Sequence, residues 1–233
     1  MNRCFGLGKD RWIGKQAVSR RFSRRGSMSQ IHAVVVDLGG VIFLPETTDF
    51  WGSIAAQLGL PDVTVREALL RPADIEAANV GALSAEAYAE RGSTRLDTPA
   101  SAILEVIERV YSGTLNDRLV GYLRGLRATT TVAALTNNWS FLGRLLHRHD
   151  IADLFSVVVN SAEVGVCKPS GQIFSILLDR LQCRADQAVF LDDDLVNVNA
   201  ARALGFAAIH FQTTDSALAQ LEAVLSRSAA SSR

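Results

Sequence analysis

Ala33-Val34-Val35-Val36-Asp37-Leu38-Gly39-Gly40-Val41-Ile42-Phe43 decides how the rest of the chain is read. The β-branched run ahead of Asp37 has the continuous apolar character of a strand buried on both faces of a parallel sheet. Such a strand delivers its last residue to the sheet's C-terminal edge, where open α/β folds build their sites. The two glycines let the backbone turn sharply and approach a ligand closely. Buried strands also end in Asp for turn reasons alone, so the stretch needs partners elsewhere in the chain.

Working outward, four more strand-like runs follow at Thr131–Thr136, Ser156–Asn160, Ala188–Asp192 and Ala207–Phe211. Helical patterns at Phe141–Arg148, Gln172–Leu181 and Val196–Leu204 lie between them, the last with Gly205 placed as a C-terminal cap. Strands alternating with helices of this length predict βαβ units and a parallel sheet. The stretch from 46 to 126 is rich in Ala, Leu, Glu and Arg and shows no clear strand. It predicts helices near Phe50–Leu58, Thr64–Leu70, Ser84–Arg91, Pro99–Tyr111 and Asn116–Arg127, with Ser84 starting the third. That block is too long for a simple crossover. The expected fold is therefore α/β, a three-layer Rossmann-like parallel sheet core with a helical cap inserted between strands one and two. The expected boundaries are a core of 31–45 and 116–225, a cap of 46–115 and a flexible tail of 226–233.

A chain of 233 residues, 48% hydrophobic and 21% charged, can bury a substantial core. No apolar run is long enough to span a membrane. Cys4, Cys167 and Cys183 are odd in number and lack a Cys-x-x-Cys spacing, which argues for reduced thiols over a disulfide framework or structural zinc. A cytoplasmic setting is expected. The net charge of zero hides an asymmetry: residues 1–30 carry eight Lys and Arg against the single acid Asp10, and the remainder is mildly acidic. An acidic body gives no sign of nucleic-acid binding. The basic leader of residues 1–30 fits three readings: a mitochondrial presequence, a disordered arm, or an over-extended start with Met28 as the initiator. The last two together are favoured, since Met28 lies just ahead of the first strand. Nothing in the sequence sets an oligomeric state.

Four stretches at or just after strand ends carry chemistry: Asp37-Leu38-Gly39-Gly40-Val41, Leu135-Thr136-Asn137-Asn138, Gly165-Val166-Cys167-Lys168-Pro169 and Val189-Phe190-Leu191-Asp192-Asp193-Asp194. In this order and spacing they resemble the four motifs of the haloacid dehalogenase-like hydrolase superfamily. The resemblance covers about residues 31–225. It extends through Leu195–Phe206 and, in the cap, through Gly81-Ala82-Leu83-Ser84-Ala85-Glu86-Ala87-Tyr88. The latter is similar to the subgroup holding bacterial sugar-phosphate phosphatases and the N-terminal phosphatase domain of epoxide hydrolase.

Elementary chemistry points the same way. A carboxylate can attack phosphorus and form an acyl phosphate, splitting one difficult step into two. Asp37 is the candidate nucleophile. Phosphate and carboxylate repel, so a cation must lie between them, and magnesium prefers oxygen donors. Asp37, Asp193 and Asp192 are candidate ligands, and the resemblance adds the Gly39 carbonyl and makes Asp193 the principal one. Asp194 suits a helix N-cap or a supporting position. Lys168 would neutralise the phosphoryl group and orient Asp37. The Thr136 hydroxyl and Asn137 amide would bind phosphate oxygens. His147 and His149, two apart on a helix, face different ways and argue against zinc. Cys167 reads as an incidental buried thiol, and Phe50, Trp51 and Trp139 as packing residues with a second reading as pocket lining.

The chain departs from the family pattern at Gly39. Family phosphatases usually carry there a second aspartate, which protonates the leaving group and then activates water. General acid–base catalysis is worth roughly 10²–10⁴-fold. The gap admits three readings: a magnesium-dependent phosphatase for small phosphorylated metabolites with good leaving groups, a catalytically weak phosphate-binding or regulatory module, and a haloacid dehalogenase. The first is favoured, and the acid pair Asp192-Asp193 argues against the last.

Overall fold

The computed structural model describes residues 29–46 and 49–231, so residues 1–28 of the expected leader lie outside the described residues. The strands are β1 (Ala33–Val36), β2 (Phe43–Leu44), β3 (Thr114–Leu115), β4 (Thr131–Thr136), β5 (Val157–Asn160), β6 (Ala188–Asp192) and β7 (Ala207–His210). Five of them form one parallel sheet in the order β5-β4-β1-β6-β7, with β1 at its centre. The Val-rich run of β1 is wholly buried because helices cover both faces of the sheet. Its alternate side chains feed two cores. Val34 and Val36 join the larger cluster, while Ala33 and Val35 join the smaller one built on Phe174, Phe190 and Phe206.

The helices are α1 (Phe50–Leu58), α2 (Asp62–Leu69), α3 (Pro72–Asn79), α4 (Ala85–Leu96), α5 (Ala100–Ser112), α6 (Asp117–Leu126), α7 (Leu142–Arg148), α8 (Ser161–Val164), α9 (Gly171–Leu181), α10 (Leu195–Ala203) and α11 (Thr214–Ser231). Apolar stripes of α9 and α10 (Ile173, Phe174, Leu177 and Ala201) cover one sheet face. Those of α6, α7 and α11 (among them Leu119, Leu123, Leu145, Ala217 and Leu221) cover the other. Three layers result, as expected.

The helices α1 to α5 lie between β2 and β3, which pair antiparallel as the two chain crossings into and out of that block. The short strand β3 is a correction to the strandless reading of 46–126. A two-residue strand carries no periodicity, and its pairing with Phe43 and Leu44 is set by tertiary closure. Asn116 ties the crossing to the core: its side-chain amide donates to the Val41 carbonyl at 3.0 Å, and its backbone N–H donates to the Ile42 carbonyl at 2.8 Å. The helical block reaches over the C-terminal end of β4. There Asn79 accepts from Trp139 Nε1 at 2.9 Å, and Ser140 Oγ accepts from the Ala85 N–H at 3.0 Å. Gly81 permits the contact: it has φ 71°, and a Cβ there would run into the Ala162 carbonyl.

Of the expected flexible tail of 226–233, the part as far as Ser231 is helical, and residues 232 and 233 lie outside the described residues. Helix α11 continues to Ser231, and Ser228 is buried. Its Oγ accepts from the Ile31 N–H at 2.6 Å and donates to the Ser29 carbonyl at 3.3 Å, pinning the helix to the entry of β1. A Ser/Ala-rich terminus looks frayed in sequence and gains its partners only from the fold. Among the described residues no helix is long and apolar enough to cross a membrane.

Candidate active site

Asp37 follows directly on β1, and its backbone N–H still donates to the Leu191 carbonyl of β6 at 2.8 Å. The acid is therefore fixed at the sheet edge by main-chain pairing. Beyond it the chain doubles back: the N–H groups of Val41, Ile42 and Phe43 all turn toward the Leu38 carbonyl, and the Gly40 N–H donates to the Phe43 carbonyl. Gly40 holds φ 77°, and a Cβ there would overlap the Asp193 carboxylate. The positive φ favours glycine here, and any side chain at this position would displace the Asp193 carboxylate. Gly39, expected to offer its carbonyl, sits inside this turn.

Lys168 is the only cation that reaches the centre of the site among the described residues. It is 1% exposed, and its Nζ lies 3.0 Å from Asp37 Oδ1 and 2.6 Å from Asp192 Oδ2. It also stands 5.6 Å from the centre of the Phe190 ring. Asn137 positions it through a reciprocal pair: the Lys168 N–H donates to Asn137 Oδ1 at 2.8 Å, and Asn137 Nδ2 donates to the Lys168 carbonyl at 3.0 Å. The side chain of Asn137 thereby joins the second motif to the third, a use that its expected role through the backbone amide did not include.

Asp192 ends β6 with no exposed surface and both oxygens engaged. Besides Lys168, it accepts from the Asp194 N–H at 2.8 Å and from Asn197 Nδ2 at 3.1 and 3.2 Å. Asp193 is the member of the pair that faces outward. Asp194 caps α10, accepting from the Val196 N–H at 2.9 Å, as its sequence position suggested. Asp37, Asp192 and Asp193 together present carboxylate oxygens within 4.8 Å of one another. A compact set of hard oxygen donors without nitrogen or sulfur fits magnesium and not zinc.

Charge is unevenly shared here. Burial pushes the Asp37 carboxyl up to about 7, Asp192 and Asp193 push it the same way, and Lys168 opposes them. Asp193 is also raised, first by burial and then by Asp192. Burial acts to lower the Lys168 ammonium, but Asp37 and Asp192 outweigh it and keep it charged. One ammonium among three acids leaves the cluster short of positive charge.

The Thr136 hydroxyl, at the end of β4, is fully buried and has no hydrogen-bond partner among the described residues. A buried hydroxyl left unpaired costs about 1–3 kcal/mol, so its position beside Asn137 suits a ligand acceptor. The remaining sequence candidates lie in packing positions. Trp139 is buried against Tyr88, Tyr111 and Phe141. Phe50 stacks edge-on with Trp51 and Tyr111. Cys167 is buried, its Sγ 3.6 Å from the Asn79 carbonyl. His147 is exposed, and His149 packs on the Phe43 ring at 5.2 Å. Neither joins a metal-binding group among the described residues. Sequence reasoning missed Asn79, Asn197 and His210, and it missed α3 altogether. The Asn197 signal was its position five residues after Asp192 on a helix start.

A family model for haloacid dehalogenase-like hydrolases matches residues 31–205. Bifunctional epoxide hydrolase 2 of Sus scrofa is 28% identical over 83% of this chain and 39% of its own length. The sesquiterpene phosphatase astK of Aspergillus oryzae is 26% identical over 79% of this chain and 90% of its own. The chain thus spans well under half of the epoxide hydrolase it matches. In fold, it is similar to a HAD family enzyme from Bacteroides thetaiotaomicron solved in complex with magnesium and inorganic phosphate. That similarity has a TM-score of 0.69 and 16% identity, and covers 79% of this chain and 96% of that one.

Proposed function

The chain belongs to the haloacid dehalogenase-like hydrolases, and we propose that it is a magnesium-dependent phosphatase for a small phosphorylated metabolite. The observation that carries this reading is one sheet edge that gathers Asp37, Lys168 and the Asp192-Asp193 pair beside a Thr136 hydroxyl that has no partner among the described residues. A site short of positive charge and holding a spare donor suits an anion bound together with a cation.

In this reading Asp37, Asp192 and Asp193 hold the magnesium, with the Gly39 carbonyl as a further donor. The ion supplies charge neutralisation for the phosphoryl group and for the carboxylate that attacks it. The Thr136 hydroxyl and the Asn137 amide bind phosphoryl oxygens, and the Lys168 ammonium holds Asp37 in line. An Asp37 oxygen forms a bond to phosphorus as the ester oxygen leaves with the bonding pair. Water then cleaves the acyl phosphate, releasing phosphate and restoring the carboxylate. Helices α1 to α5 act as a cap that excludes water from this chemistry.

Gly39 leaves the leaving-group oxygen without an aspartate to protonate it, which favours substrates whose leaving group departs unaided. The same glycine supports a second reading, a weak or inactive phosphate-binding module. The acid pair Asp192-Asp193 at the end of β6 weighs against a dehalogenase, which needs no metal.

The test is phosphate release, with magnesium and with chelator, from sugar phosphates, acyl phosphates and isoprenyl monophosphates. The last class is included because one relative is named a sesquiterpene phosphatase. Asp37→Asn is expected to lower metal-dependent release by at least about 10³-fold with the fold intact. Gly39→Asp is expected to raise turnover on poor leaving groups, toward the roughly 10²-fold that a general acid contributes. A folded protein that binds phosphate and releases none from any substrate would establish the binding module instead.

A further inference from the structure

We propose that His210, at the end of the edge strand β7, is a positioning residue for Asp193, the acid expected to be the principal magnesium ligand. The inference rests on the metal reading given above. His210 pairs in register with Asp192. Its Nε2 lies 3.0 Å from the backbone carbonyl of Asp193. A carbonyl oxygen only accepts, so the contact requires a proton on Nε2.

The value of this bond lies in what it restrains. The loop Asp192-Asp193-Asp194 is tied on both sides of Asp193. The Phe211 N–H donates to the Asp192 carbonyl at 2.9 Å, and Asp192 Oδ1 accepts from the Asp194 N–H at 2.8 Å. Between those ties, the Asp193 carbonyl is gripped by His210. The Asp193 carboxylate is pressed against Gly40 on its inner side and stands within reach of Asp37 and Asp192, so it is held near charges that repel it. A freed peptide would let that carboxylate, already open to solvent on its outer side, shift away from Asp37 and Asp192. The imidazole adds a third tie to the loop, at the one peptide carbonyl between the other two. Groups that orient a ligand without touching the metal typically carry about 10–100-fold of metal affinity.

Calorimetric titration of the full chain with magnesium, in the absence of substrate, tests the assignment. His210→Phe removes the donor, and His210→Asn keeps a polar side chain too short to place an N–H where Nε2 stands. Both are expected to weaken magnesium binding about tenfold or more, while His210→Gln, whose amide reaches that position, restores it to within a few-fold. Melting curves in chelator should not rank the variants in this order, since a purely structural role would lower stability without moving metal affinity. Binding by His210→Asn within about twofold of wild type would overturn the assignment. A wild type that binds magnesium while all three variants match it sinks this inference alone. A wild type that binds none sinks the metal reading and the inference with it.

Discussion

At the sheet edge one ammonium, Lys168, faces a cluster of three carboxylates, whereas inside the helical block Asp74 has the guanidiniums of both Arg91 and Arg95 to itself. Both side chains have little exposed surface, 3% at Asp37 and 8% at Asp74, but Asp37 lies far deeper in the protein. Their carboxyls move in opposite directions. Burial wins at Asp37, which rises to about 7. Burial also acts to raise Asp74, but Arg95 and Arg91 overcome it and hold the acid below its ordinary range. The difference teaches what each acid is for. An acid that holds helices together is paired to excess, and an acid left short of cations suits the metal binding proposed above.

The comparison breaks most sharply at the cations. Lys168→Met strands two buried carboxylates, so it should cost about 3–5 kcal/mol of stability and abolish phosphate release. Arg91 is 52% exposed and shares its acid with Arg95. Arg91→Met should therefore cost about 1 kcal/mol or less. Paired denaturant titrations read both numbers, and equal costs would erase the distinction between the two regions.

Proton competition sharpens it next. Magnesium needs ionised carboxylates, so its affinity should fall by up to about tenfold per unit as pH drops below 7, with proton release on binding. Calorimetry in buffers of different ionisation heat measures that release. In the metal-free protein the raised Asp37 value makes the folded state bind a proton that the unfolded chain does not, between 3.8 and about 7. Its contribution to stability is therefore greatest in acid and lost as pH rises through that window. Asp74 has the opposite sign: its contribution is present above the ordinary carboxylate range and lost as pH falls through its lowered value. Melting temperatures of wild type and Asp37→Asn across this range should converge in acid and separate in alkali, with the variant the more stable.

The smallest effect is expected where the helical block meets the core. Trp139→Phe keeps most of the aromatic packing but loses the bond to Asn79, which should cost about 1 kcal/mol. A much larger loss of phosphate release than of stability would show that this contact also seats the site.

Much of the site was legible because its chemistry is written next to strand ends. Asp37, Thr136 and Asp192 each follow or close an apolar run, and parallel strands bring such ends to one edge whatever the intervening chain does, while Lys168 comes from the loop between α8 and α9. The reading failed where local pattern and tertiary partner part company. Helix α3, Pro72–Asn79, is short and its apolar residues are mostly alanines, so it shows little periodicity, yet it supplies Asn79 to Trp139. His210 reads as an ordinary residue at the end of a strand. Its meaning comes from a carbonyl 17 residues away in sequence.

By itself, then, the amino-acid sequence determined the parallel sheet, the insertion of helices after β1 and the acids and lysine that meet at the edge, because buried strands, caps and motif spacing are local properties of the chain. Only the tertiary structure decided how charge is apportioned among those groups. It made Asp192 the fully engaged partner of Lys168, left the Thr136 hydroxyl unpaired among the described residues, set Gly40 close against the Asp193 carboxylate and tied His210 to the Asp193 carbonyl. Those outcomes depend on distances between segments far apart in sequence, and electrostatic and packing energies follow distance and burial.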